Sequence, residues 1–116
     1  MFAHNQVSLI GNLGGDPEIR HFESGKVKAR FSLAVHAGKD RPSEWFDVEA
    51  WNQTAKRVGQ MLAKGSRVAL SGSLKLERWQ TDAGQNRSKV VVNAENIEVI
   101  SKEKFQSPTE QSYESF

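Results

Sequence analysis

There is no cysteine anywhere in this chain of 116 residues, so it can build neither a disulfide framework nor a thiolate metal site. Proline occurs three times and tyrosine once. Apolar residues come in short alternating runs, none near the roughly 20 consecutive positions that a membrane-spanning helix needs. The opening Met1-Phe-Ala-His-Asn-Gln has neither the basic stretch nor the apolar run of a signal peptide. Charge of one sign is not in large excess either, since 16 basic and 14 acidic residues leave a net +2. A polyanionic partner would therefore have to be held by a local basic surface and not by bulk charge. His4, His21 and His36 are dispersed, with no nucleophile–base arrangement or metal-ligand spacing beside them. Gly11, Gly14 and Gly15 precede a loop and lack the lysine of a phosphate-binding loop. The missing leader and apolar runs predict a soluble intracellular protein that is not secreted and does not associate with membranes, and the missing constellations make a binding protein the expectation over an enzyme. They also predict no catalytic residue, no metal and no cofactor.

What is present gathers around Trp45 to Asn52, W-F-D-V-E-A-W-N. As a strand, this stretch sends Phe46, Val48 and Ala50 to one face and Trp45, Asp47, Glu49 and Trp51 to the other. The first set suits a core. The second places two indoles about 20 Å apart on the wetter face, at ~3.3 Å per residue. Trp79 lies near the end of another alternating run, preceded by Arg78. Indoles beside cationic side chains on a sheet are what stacking on unpaired bases requires; three half-buried core tryptophans are the alternative.

The remaining elements follow from periodicity. Val7 to Ile10 alternates as a short strand that Asn12-Leu-Gly-Gly-Asp-Pro ends, and extended structure can resume from Glu18 to Phe22. Val27, Ala29, Phe31, Leu33 and Val35 share a face opposite Lys28, Arg30, Ser32, Ala34 and His36, a half-buried strand. Gly38 to Ser43 reads as a polar loop. Asn52 or Thr54 can cap a short helix with Ala55, Val58, Met61 and Leu62 at helical spacing and Gly65 as its stop. Lys56 and Arg57 fall on its wet side. Val68, Leu70, Leu74 and Leu76 form the next apolar face, with Gly72 marking a bulge or bend. Gln80 to Asn86 is a hairpin loop, and Ser88 to Ala94 and Ile97 to Ile100 supply the last strand or two. Composition divides the chain into one domain over 1–100 and a short disordered tail over 101–116. The expected architecture is all-β: an OB-fold, a five-stranded Greek-key barrel with one short helix between strands 3 and 4; an SH3-like barrel or a small sandwich fits part of the pattern, and the helix favours the OB-fold.

Several stretches in register resemble one family, the bacterial-type single-stranded DNA-binding proteins. They are V-S-L-I-G-N-L-G-G-D-P-E-I-R (Val7 to Arg20), F-S-L-A-V (Phe31 to Val35), E-W-F-D-V-E-A-W (Glu44 to Trp51), K-G-S-R-V-A-L-S-G-S-L (Lys64 to Leu74), Trp79 and R-S-K-V-V-V-N-A (Arg87 to Ala94). The resemblance spans roughly Asn5 to Ile100. It implies an OB-fold that binds single-stranded DNA without sequence preference as a homotetramer, in DNA replication, recombination and repair. By position, Trp45, Trp51 and Trp79 match the family's base-stacking aromatics, and Arg20, Lys64 and Arg78 match its backbone contacts. The implied location is the bacterial cytoplasm and nucleoid, or an organelle such as the plastid. The loop Gly38 to Ser43 is short and lacks an aromatic, and the ending Y-E-S-F only faintly resembles the family's acidic, partner-recruiting tip.

Phosphates would be met by Lys28, Arg30, Lys75, Arg78 and Arg87, with Lys39 and Arg41 closing from the loop; a solvated sheet face is the alternative for each. Asp47 and Glu49 suggest either a metal site or pairing with neighbouring Lys or Arg across the sheet, and the second is the commoner use of carboxylates on a strand. Two other functions stay open: an OB module for protein assembly, and a nuclease using Asp47 and Glu49.

Overall fold

A computed structural model describes residues 4–101 of the chain. The alternating runs form strands β1 (Val7–Leu13), β2 (Glu18–His21), β3 (Val27–Val35), β4 (Glu44–Trp51), β5 (Arg67–Gln80) and β6 (Asn86–Ser101), with helix α1 (Asn52–Met61) between β4 and β5. The sheet order is β1-β5-β6-β4-β3-β2, and β1 also pairs with β3. Five strands thus close into a ring, β1-β5-β6-β4-β3, with β2 on the first half of the β3 edge whose second half meets β1. Counted along the ring strands alone, the helix follows the third, as expected. All pairings are antiparallel except β4 with β6, where Val48 faces Val92 and Glu49 faces Asn93.

Closure depends on Gly11. Just beyond it β1, still paired with β5 at Asn12↔Arg67, also meets β3, at Asn12↔Ala34 and Leu13↔Leu33. A Cβ on Gly11 would overlap the Ala34 carbonyl oxygen and lie 2.9 Å from Leu33 Cγ, so only glycine allows the approach. β1 accordingly runs three residues past Ile10, where the sequence suggested it would end. Gly72 sits at an irregularity of the β5–β6 ladder, as its place in the pattern predicts.

Inside the ring lie Val27, Ala29, Phe31 and Leu33 of β3, Val48 and Ala50 of β4, Val68 and Leu70 of β5, and Val92, Ala94 and Ile97 of β6. Ala55, Val58 and Leu62 close one end of this core, and Gly59 lets Ile19 of β2 approach the helix. The helix ends are built differently from expectation. Trp51 is the N-cap and gives no side-chain cap bond; the Asn52 amide oxygen instead accepts from the Val27 N–H at 3.2 Å. The helix stops at Met61 with Leu62 extended, ahead of Gly65, which turns at φ 88° and donates its N–H to the Leu13 carbonyl. Arg57 is not merely a wet-side residue, since its Nη2 donates to the Ile97 carbonyl at 3.3 Å.

Leu74 and Leu76 are exposed, at 44% and 48%, as is Val90 at 57%. They continue the inward face of β5 and β6, but these strands, 14 and 16 residues long, run on together as a hairpin beyond the ring, where no strand among the described residues lies opposite. β6 is one strand with an irregularity opposite Ser71 and Gly72, not two. Of the expected tail, residues 101–116, Ser101 instead ends β6 opposite Arg67, and the rest lies outside the described residues.

Candidate nucleic-acid interface

Alternation along β4 puts Trp45, Asp47, Glu49 and Trp51 on the side away from the core. Trp45 is 60% exposed and Trp79 47%, while Trp51 is half-buried. Two shallow depressions lie on this side. One holds Trp45 with Gly14, Asp16, Arg30 and Asp47. The other holds Trp79 with Arg30, Lys75, Arg78 and Lys89. Arg30 is the wall they share.

Trp51 is fixed from three sides. Lys28, its cross-strand partner on β3, places Nζ 5.4 Å from the ring centroid, and Lys75 places its own at 5.9 Å. Phe22 stacks on the indole at 5.9 Å and 23°, and the Arg20 guanidinium lies 4.8 Å over Phe22. Cations over aromatic faces are attracted by the ring quadrupole. Arg20, expected only as a phosphate contact, therefore also ends a stack that begins at Trp51.

Glu49 is the clearest departure from the sequence reading. Alternation assigns it to the wet side, yet its side chain is fully buried. Lys75 Nζ donates to Oε1 at 3.0 Å and Trp51 Nε1 donates to the same oxygen at 3.3 Å. Oε2 has no hydrogen bond and faces the Lys28 ammonium at 3.4 Å. Burial opposes the charged form; the hydrogen bonds from Lys75 and Trp51, with the Lys28 and Lys75 charges, outweigh it and hold the carboxyl below its ordinary value. Asp47 is open, 45% exposed, with Oδ2 3.3 Å from Lys89 Nζ and 4.0 Å from Arg30 Nη2. Both carboxylates pair with cations across the sheet, as the commoner reading of such residues holds. Among the described residues no group of three or more His, Asp or Glu converges as metal ligands would.

The other expected contacts are spread around this centre. Arg87 lies opposite Trp79 in the ladder, with Nη2 2.7 Å from the Gln85 side-chain oxygen. The backbone N–H of Lys64 donates to Asp16 Oδ1 at 2.8 Å, which ties its loop to the rim of the Trp45 depression. Lys39 and Arg41 sit on the 36–43 loop, where Arg41 N–H closes a turn on the Gly38 carbonyl, and neither lines the two depressions. Lys89 and Phe22 were not singled out from the sequence. Lys89 had a signal, because it shares a strand face with Arg87; Phe22 precedes a turn and had none.

The sequence model of the Single-strand binding protein family matches residues 4–100. The chain belongs to that family. Its fold is thus the OB-fold that the single-strand binding proteins imply, here seen as a closed ring of five strands. Relatives include single-stranded DNA-binding protein 1 of Synechocystis sp., 41% identical over 100 residues, which are 83% of this chain and 83% of that protein. The single-stranded DNA-binding protein of Thermosynechococcus vestitus is 41% identical over 106 residues, covering 90% of this chain and 88% of the relative. That of Treponema pallidum is 33% identical over 102 residues, 83% of this chain and 57% of the relative.

Proposed function

We propose that this member of the single-strand binding protein family coats single-stranded DNA without sequence preference, stacking bases on Trp45, Trp51 and Trp79. Every base offers a π-face, so stacking is tolerant of sequence. Lys28, Arg30, Lys75, Arg87 and Lys89 meet phosphates across the same face, and Arg20, Lys64 and Arg78, which alternates to the other side of β5 from Trp79, extend the path at its margins. Lys39 and Arg41 reach in only from their loop. The observation that carries this reading is the exposure of Trp45 and Trp79 in depressions joined by Arg30. The role is binding and not strand cleavage, because Asp47 and Glu49 each face two cations, an arrangement suited to drawing in phosphate and not to holding a catalytic metal. The chain serves wherever strands are transiently unpaired, in replication, recombination and repair, and acts in the compartment that holds the DNA.

The test is competition. A labelled mixed-sequence single strand is bound tightly and displaced by any unlabelled single strand, but poorly by duplex of the same sequence. Equal displacement by duplex contradicts the reading.

Assembly as a homotetramer is part of the proposal. Val7 to Gly11 of β1 pair only with β5 among the described strands, which leaves their other edge open. Ile10 and Ile100 are 51% and 53% exposed. Sedimentation giving four times the 13.0 kDa chain mass supports the assembly, and a 13.0 kDa species alone rules it out. Recruitment of replication and repair proteins would fall to the tail, outside the described residues.

A further inference from the structure

Arg30 walls both the Trp45 and the Trp79 depressions; Glu18 and Glu49 lie opposite it in the ladders, and its ion pair is with Asp47. Asp47 Oδ2 stands 4.0 Å from Arg30 Nη2 and 3.3 Å from Lys89 Nζ. Asp47 lines the Trp45 side and Lys89 the Trp79 side, so this carboxylate lies on the path between the two exposed indoles. All three groups remain open to solvent, with side-chain exposures of 36% for Arg30, 45% for Asp47 and 37% for Lys89. A carboxylate oxygen between a guanidinium and an ammonium takes the place a phosphate oxygen would take. Glu49, two residues along the same face, differs. It is sealed from solvent and cannot leave its partners without unpacking Trp51.

We infer that Asp47 is an exchangeable stand-in for phosphate, which holds Arg30 and Lys89 in the free protein and yields them to the backbone of a bound strand. The inference rests on the reading that nucleic acid crosses the face between Trp45 and Trp79. Its consequence is a weaker and less salt-dependent grip than the same cations would give alone. Each cation that meets a single-strand phosphate adds about 0.7 to the slope of log affinity against log salt through released counterions. When Asp47 loses its partners it draws cations from solution, which cancels part of that release. It also repels the incoming phosphate, and a unit charge about 4 Å away in water is worth roughly fivefold in affinity. Asp47 keeps Arg30 and Lys89 extended over the face while limiting how firmly a strand is held, which favours exchange over permanent capture.

The experiment follows tryptophan quenching by oligo(dT) over a series of NaCl concentrations for the unaltered protein, D47N and E95Q. Glu95 is an exposed β6 residue in neither depression, so E95Q makes the same change in net charge elsewhere. D47N is expected to bind about fivefold tighter at low salt, with a slope steeper by about 0.7. E95Q keeps the slope of the unaltered protein. A D47N protein that matches E95Q in affinity and slope, or binds more weakly, overturns the inference while leaving the stacking face intact. An unaltered protein whose fluorescence does not respond to oligo(dT) overturns both.

Discussion

The Trp45 indole covers Gly14 so closely that a Cβ there would overlap the ring at Cζ3 and lie 2.9 Å from Cη2. Gly14 follows β1 and Trp45 begins the outer face of β4, so the bare backbone of one element is the seat for the other's stacking surface. Gly14 has no positive φ, and its requirement is space alone.

Gly14→Ala is therefore expected to push the indole off its seat with little effect on the fold. Affinity for oligo(dT) should fall by about 1 kcal/mol, the low end of what one stacked base contributes, while the melting temperature stays within a few degrees. Titration and thermal melting of the same sample check both.

Glu49 gives a pH dependence of definite sign. Its folded pKa lies below the ordinary 4.5, so its contribution is complete above that value. As pH falls below 4.5 the unfolded chain takes up the proton first, and stability declines until the folded value is passed. Glu49→Gln should flatten this part of the acid profile. At neutral pH it should cost about 2 kcal/mol, moderated by the partial exposure of Lys28 and Lys75. Urea unfolding at several pH values measures both effects.

Gly11→Ala tests how the ring closes. A methyl group against the Ala34 carbonyl and Leu33 must part β1 from β3, at a cost of roughly 1–3 kcal/mol for overpacking. Protection of the Leu13 N–H, which donates to the Ser66 carbonyl at 2.9 Å, should drop in hydrogen exchange more than that of residues in the β5–β6 hairpin.

Much of this was legible because a strand's faces follow a period of two. The buried face of β3, the outward turn of Trp45 and Trp79 and the bulge at Gly72 all come from that rule. What escaped was whatever depends on the element opposite. Leu74 and Leu76 lie on the correct face, but nothing in their spacing tells that β5 and β6 outrun the ring. Glu49 alternates outward like Asp47. Its burial arises because Lys28 from β3, Lys75 from β5 and the indole of Trp51 close over it, a convergence of strands distant in sequence. Asn52 looked like a cap because asparagine favours that position, and a free Val27 N–H on another strand claimed its side chain instead.

The most direct measurement uses three proteins that each keep one tryptophan, at 45, 51 or 79, with phenylalanine at the other two positions. Each is titrated with oligo(dT) at low salt. All three are expected to be quenched, added salt should reverse the quenching, and changing any one tryptophan to alanine in the unaltered protein should cost about 1–3 kcal/mol of binding. Oligo(dT) that binds while leaving all three indoles unquenched would contradict this, because the bases would then lie on some other surface.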